Sequence, residues 1–238
     1  MKEINNDKLI LITGGTGGLG AIVTRGLLGL GYRCVVPYRS EREAEKLLAS
    51  LSQSGKEMLQ LLPVDALHEE GVRTVFEAVD AGDKRLYALV HLLGGIKPLQ
   101  EISKSSVEDW DFVHALNVRS YFLFAREAMQ RFEKYQEGRI ISIGAKSGVQ
   151  ASAKQSTYGL AKSSVIMLTK IIAEEGKSMG VTANCIAPGI IATPANLEWG
   201  SEAEIKTWVA PQEIAEMIFF LLSPEAGSVT GSVIEMGS

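Results

Sequence analysis

Thr13-Gly14-Gly15-Thr16-Gly17-Gly18-Leu19-Gly20 is the stretch whose reading decides the fold. It follows the apolar run Leu9 to Thr13, which reads as a first strand, and it opens the segment Leu19 to Leu30, which reads as a first helix. Glycine at such a junction permits a tight turn and a close backbone approach, and the helix behind it offers unpaired N–H groups to an anion. A strand, a glycine-rich turn and a helix in that order point to the pyrophosphate of a dinucleotide. Of the 24 glycines in the chain, eight fall between Gly14 and Gly31. Gly14, Gly18 and Gly20 are read as the nucleotide turn, and Gly26, Gly29 and Gly31 as packing positions and the exit from the helix.

Outward from this turn the chain keeps alternating short β-rich runs with longer helical periods. Strands are expected at Leu9 to Thr13, Cys34 to Tyr38, Met58 to Val64, Leu86 to Leu93, Arg139 to Ile143, Val181 to Ala187 and Val233 to Met236. Most are continuous apolar runs, as parallel strands covered on both faces require. Helices are expected at Leu19 to Leu30, Glu41 to Ser54, Glu69 to Ala81, Ser106 to Lys134, Ser156 to Met179 and Pro211 to Leu222. The fold class is therefore α/β: a Rossmann-like, doubly wound, seven-stranded parallel sheet in one domain over 1–238. One irregular stretch, Ala192 to Thr207, follows the end of a strand and is the expected substrate loop.

Composition excludes several function classes. The 238 residues are 46% hydrophobic and 22% charged, enough apolar material for a core, and the net charge of −4 does not favour nucleic acid or an anionic membrane. The run Leu9 to Ile12 is too short for a signal-peptide core and no segment approaches a membrane span, so a cytoplasmic protein is expected. Cys34 and Cys185 sit in strand-like runs and read as buried thiols, and His68, His91 and His114 lack ligand spacing, so no metal is expected.

Tyr158 and Lys162 stand four apart on an expected helix and share a face, so the ammonium is expected to favour the ionised phenol and draw its pKa down for general acid catalysis. At the end of the second strand, Arg39 can fork onto a 2′-phosphate and Ser40 can donate a hydroxyl, with no acid before Glu41, so NADP(H) is favoured over NAD(H). Trp199, Trp208 and Leu197 are read either as pocket or lid residues or as ordinary loop packing.

The spacing Thr-Gly-x-x-x-Gly-x-Gly, with Tyr158 and Lys162 downstream, resembles the short-chain dehydrogenase/reductase family, and further matches follow in order along nearly the whole chain. The resemblance implies that Thr13, Gly14, Gly18, Leu19, Gly20, Arg39, Ser40, Asp65, Gly94, Tyr158, Lys162, Pro188, Gly189, Ile191 and Thr193 bind the cofactor, Asp65 at the adenine. It implies that Tyr158, Lys162 and Asn117 are catalytic, with Asn117 holding a water near Lys162. The family's substrate-polarising serine falls at Ala145, which has no hydrogen to donate; Ser147 is the candidate replacement, and Ser142 is less suitable because it lies within the strand.

The expected function is NADP(H)-dependent hydride transfer to a carbonyl substrate. Two alternatives stay open. Ala145, with Gly94 and Gly95, is similar to dihydropteridine reductases acting on a quinonoid pterin, and Ala145 with the altered turn His91 to Leu93 would also suit a non-catalytic dinucleotide-binding regulator. The resemblance further implies a small-molecule substrate and a homotetramer or homodimer. Tyr121, Phe122, Phe124 and Ala125 would face the partner subunit or else fill the core.

Overall fold

The computed structural model describes residues 8–237. The strands are β1 (Lys8–Thr13), β2 (Arg33–Tyr38), β3 (Leu59–Pro63), β4 (Arg85–His91), β5 (Gly138–Ile143), β6 (Val181–Pro188) and β7 (Val233–Met236). They form one sheet in the order β3-β2-β1-β4-β5-β6-β7, every pair parallel. The chain order reverses between β1 and β4, and the C-terminal ends of those two strands therefore flank an open crevice.

The helices are α1 (Gly18–Gly29), α2 (Glu41–Ala49), α3 (Gln53–Glu57), α4 (Glu69–Ala81), α5 (Val107–His114), α6 (Ser120–Tyr135), α7 (Lys146–Val149), α8 (Tyr158–Gly176), α9 (Pro194–Leu197), α10 (Glu202–Ile205) and α11 (Pro211–Leu222). Val75, Phe76, Phe124, Phe132 and Val165 bury α4, α6 and α8 on one face of the sheet. Val23, Leu27, Ile214 and Ile218 bury α1 and α11 on the other. The α1–α11 contact needs Gly26, where a Cβ would come within 2.2 Å of the Phe219 ring, whereas Gly29 faces open space and serves no packing role. No helix among the described residues is long and apolar enough to cross a membrane.

Two expectations are corrected here, and a third point is settled between two readings. The helix expected over Glu41 to Ser54 stops at Ala49, because Ser50 bonds back to Leu47 O and Ser52 starts α3 as a new N-cap. The loop Ala192 to Thr207 is not wholly irregular, since it contains α9 and α10, the latter closed by a Ser201–Glu204 capping box. Tyr121, Phe124 and Ala125 are core residues, and of the four only Phe122 is exposed. The helix expected over Ser106 to Lys134 is continuous but takes a π-turn at Ala115–Arg119, after which Tyr121 and Phe124 are buried.

Polar side chains line the seam between β4, β5 and the helices α6 and α8. Buried His91 bonds Thr13 Oγ1 through Nδ1 at 2.9 Å and approaches Ser120 Oγ through Nε2 at 3.4 Å. Ser142 Oγ, Thr169 Oγ1 and Tyr121 Oη continue the layer at 2.8 and 2.9 Å. Burial, and secondarily the Lys162 charge, push the His91 imidazole down to about 3. The unfolded chain takes up a proton at His91 below about pH 6.5 that the folded chain refuses until about pH 3, so stability falls as pH drops through that window. Urea midpoints measured from pH 7 to pH 4 are expected to fall more steeply in the wild type than in His91→Asn, even though the variant starts from a lower stability.

Candidate cofactor and catalytic site

A cleft of about 480 Å³ opens at the C-terminal ends of β1 to β4, lined by Gly14, Gly18, Leu19 and Gly20, by Arg39 and Ser40, by Asp65 and by Gly94. Gly14 has φ +69°, and a Cβ on it would lie 2.9 Å from Leu93 N. A Cβ on Gly20 would lie 2.0 Å from Gly14 O, so the turn closes only with glycine at both places. Gly17, the N-cap of α1, brings no side-chain acceptor, so the first N–H groups of the helix stay available to an anion. A bare glycine cradle in front of an uncapped helix fits a dinucleotide pyrophosphate.

Around this cradle the residues take different stations. Arg39 is exposed at the end of β2 and is the cation of the lining. Ser40 is the N-cap of α2, its oxygen accepting from Glu43 N at 3.4 Å, which leaves its O–H as a donor. Asp65 Oδ1 accepts from Leu67 N at 2.9 Å, so this carboxylate shapes the exit from β3 as well as the wall of the cleft. The half-buried Glu43 and the apolar Phe112 and Leu116 also line the cleft, and sequence reasoning missed all three. Ser40-Glu41-Arg42-Glu43 has the Ser-x-x-Glu pattern of a helix start, which could have signalled Glu43 beside Ser40. Thr13 does not line the cleft: it is buried, with Oγ1 bonded to His91 and to Leu93 N, and pins β1 to β4 behind the site.

Deeper in, β4, the π-turn and α8 bring three residues together. A Cβ on Gly94 would be 2.7 Å from Asn117 Oδ1 and 3.1 Å from Lys162 Nζ, so both polar groups converge over its bare backbone. Asn117 donates to Gly95 O and to Val113 O at 2.8 Å and accepts from Gly95 N at 3.3 Å, which commits its amide to holding the loop after β4. Lys162 Nζ donates to Ile143 O at 2.9 Å, and burial pushes the ammonium down to about 8. Its nitrogen stands 5.7 Å from the centre of the Tyr158 ring.

The phenol behaves differently from expectation. Burial pushes the Tyr158 phenol up to about 12, so desolvation outweighs the neighbouring Lys162 charge and the hydroxyl stays protonated. Ala145 is buried as the N-cap of α7. Ser147 is half-buried on α7, where its carbonyl packs beneath α8 at Gly159. Ser142 faces away from the cleft into its bond with Thr169.

The stretch after β6 is only partly drawn into the site. Thr193 packs on the turn, 3.2 Å from where a Gly18 Cβ would stand. Pro188 pairs with Met236, Gly189 N donates to Met236 O at 2.9 Å and Ile191 bridges to Val209, so backbone pairing fixes these three at the C-terminal end of β6. In the following loop the Trp199 and Trp208 rings pack on each other with centroids 4.9 Å apart, leaving Trp199 and Leu197 exposed.

The glycine cradle, the buried lysine one turn from a protonated tyrosine and the asparagine in a π-turn define a nicotinamide-dependent oxidoreductase site. The sequence profile of the short chain dehydrogenase family matches residues 8–204, and the chain belongs to that family. Among known proteins it is 29% identical over 237 residues to a 3-oxoacyl-[acyl-carrier-protein] reductase of Vibrio cholerae, covering 96% of this chain and 95% of the relative. It is likewise 29% identical over 244 residues to an acetoacetyl-CoA reductase of Acinetobacter, covering 98% and 97%. A solved short-chain type dehydrogenase/reductase from Mycobacterium ulcerans superposes with a TM-score of 0.90 at 26% identity, over 97% of this chain and 88% of the other.

The low pKa of Lys162 has a stability consequence. The unfolded lysine binds its proton up to about pH 10.5 and the folded one only up to about 8, so stability is lost as pH falls from 10.5 to 8 and the penalty is complete below. A shift of that size corresponds to something on the order of 3 kcal/mol against the charged form. Lys162→Met is expected to raise the melting temperature at pH 7, to flatten its pH dependence between 8 and 10.5, and to lower kcat by at least about 10²-fold.

Proposed function

We propose that this protein is an NADP(H)-dependent carbonyl reductase. The observation that carries the reading is the convergence of Asn117 and Lys162 on Gly94, which lines the nucleotide cleft, with the Tyr158 ring beside the Lys162 ammonium. Names of both curated relatives describe reduction of a keto group, which supports the same substrate chemistry. A nicotinamide bound in the cleft supplies the hydride. Tyr158, kept protonated by burial, donates its hydroxyl proton to the substrate oxygen as charge develops there. Lys162, largely cationic at neutral pH, stabilises the phenolate left behind, and Asn117 keeps the loop carrying Gly94 and Gly95 in register with both. Ser147 is the hydroxyl nearest in sequence to Ala145 and is proposed to approach the substrate when it binds.

A non-catalytic regulator fits less well. Holding a desolvated ammonium costs stability, and a chain that only bound nucleotide would have no use for that cost. Turnover separates the readings, assayed with NADPH on a panel of ketones, quinones and quinonoid dihydropterin. The expected result is ketone reduction that Tyr158→Phe lowers by at least about 10²-fold; pterin reduction alone would replace the carbonyl reading, and tight NADPH binding with no turnover would remove it.

The preference for NADP(H) rests on Arg39, which can grip a 2′-phosphate with charge-assisted bonds, and on Ser40 beside it. Glu43 in the same lining opposes a phosphate, so the preference depends on the arginine outweighing it. Arg39→Ala is expected to weaken NADPH binding at least about tenfold while leaving NADH binding nearly unchanged, as read by protein fluorescence titration; equal losses would sink the assignment. We further propose that a second copy covers the face where Val118, Phe122, Met167 and Ile171 line an apolar groove between Asp111 and Arg119, giving a homodimer or, with a second interface, a homotetramer.

A further inference from the structure

His91 ends β4 with both ring nitrogens engaged, and the hydrogens around it fall into a single arrangement. Ser120 Oγ donates to Leu116 O at 2.6 Å, so it meets Nε2, 3.4 Å away, with a lone pair, and Nε2 carries the ring proton. Nδ1 is then the acceptor, and it takes the Thr13 hydroxyl at 2.9 Å. Thr13 Oγ1 in turn accepts from Leu93 N at 3.4 Å. Donors and acceptors thus run in one direction from the amide of Leu93 to the carbonyl of Leu116, through Thr13, His91 and Ser120. Burial, and secondarily the Lys162 charge, keep the imidazole neutral down to about pH 3, so Nδ1 remains an acceptor at neutral pH. The Tyr121 and Phe124 rings, with centroids 5.0 and 6.0 Å from that of the imidazole, hold it in place.

Both ends of this chain lie at the site, since Leu93 and Leu116 line the cofactor cleft. Leu116 belongs to the π-turn, where Ser120 N reaches back to Ala115 O; in a regular helix the same N–H would take Leu116 O. The Ser120 hydroxyl takes that carbonyl instead. The π-turn also carries Asn117, whose amide grips Gly95 at 2.8 and 3.3 Å, and the Leu116 side chain comes within 2.7 Å of where a Gly95 Cβ would stand. Two routes therefore join the loop after β4 to the π-turn: directly through Asn117, and from behind through Thr13, His91 and Ser120. With the second route broken, Asn117 would have to hold the turn by its own amide.

We propose that His91 and Ser120 are positioning residues for hydride transfer: they fix the π-turn against the loop after β4, so that Asn117 and Lys162 stay converged on Gly94 during the reaction. Neither residue touches the reacting atoms, and both act through Asn117. This inference rests on the carbonyl-reductase function proposed above. It also gives the altered turn at His91 a use in a working enzyme, where the sequence left a non-catalytic regulator open.

The test combines NADPH kinetics on a ketone that the wild type reduces with NMR of protein carrying 15N-labelled histidine. His91→Asn keeps an acceptor for Thr13 but is too short to reach Ser120, Ser120→Ala removes the far partner, and His91→Gln restores a donor at the reach of Nε2. Below each variant's melting temperature, His91→Asn and Ser120→Ala are expected to lower kcat about tenfold while the NADPH dissociation constant stays within about twofold. The double variant should fall no further than the slower single one, because both changes break the same chain, and His91→Gln should stay within about threefold of wild type. The His91 ring signals, assigned by their absence from His91→Asn, should show a protonated Nε2 and a bare Nδ1 from about pH 5 to about pH 8. An undiminished kcat in Ser120→Ala, losses that multiply in the double variant, a His91→Gln variant as slow as His91→Asn, a loss that falls on NADPH binding and spares kcat, or a proton on Nδ1 would each overturn the proposal. Absence of ketone reduction by the wild type would overturn the carbonyl reading instead, and the NMR result, which needs no turnover, tells the two failures apart.

Discussion

The approach of Gly20 to the carbonyl of Gly14 is the constraint on which the remaining architecture depends. A side chain at Gly20 would have to occupy the space of that oxygen, so only the bare residue lets α1 start directly at the tip of β1. With α1 seated there, its N-terminal N–H groups point into the crevice where the strand order reverses, between β1 and β4. Gly14, in the left-handed region, touches the chain leaving β4 at Leu93, and the same contact therefore sets the distance between the cofactor turn and the loop that carries Gly94. Cofactor cradle and catalytic floor are positioned by one backbone contact.

A second constraint is electrostatic. Lys162 and His91 are both desolvated, and each pays for burial in its own way: the imidazole gives up its proton, bonded to Thr13, while the ammonium keeps a lowered pKa and leans on the carbonyl of Ile143. The imidazole's neutrality matters to the lysine, because a second positive charge in that layer would depress the ammonium further. The polar layer formed by Ser142, Thr169 and Tyr121 satisfies its own hydroxyls and so seals the underside of the site without offering a competing proton donor.

Much of this was legible in the sequence because it depends on local chemistry. Seven β-rich runs, their continuous apolar character and the glycine turn suffice for a parallel sheet with a nucleotide crevice, and the i, i+4 spacing of Tyr158 and Lys162 suffices to place both on one helix face. Where local signals misled, the cause was tertiary. Tyr121 and Phe124 could have faced a subunit interface or the core, and only the packing of α6 against the sheet places them in the core. Thr13 belongs to the nucleotide motif by position, yet its hydroxyl turns to His91, a residue 78 positions away. Glu43, Phe112 and Leu116 were missed because nothing in their own neighbourhoods shows that three separate elements meet at one cleft.

By itself the sequence determined the α/β class, the strand count, the site of pyrophosphate binding and the pairing of a tyrosine with a lysine, since these follow from residue type and from periods of two and 3.6. Only the tertiary structure decided the ionisation of that pair. The spacing predicts an ammonium that draws the phenol down, but in the folded chain burial of each group outweighs the charge of the other, so Tyr158 moves up and Lys162 moves down. Desolvation is a property of everything packed around a group, and no count of residues along the chain contains it.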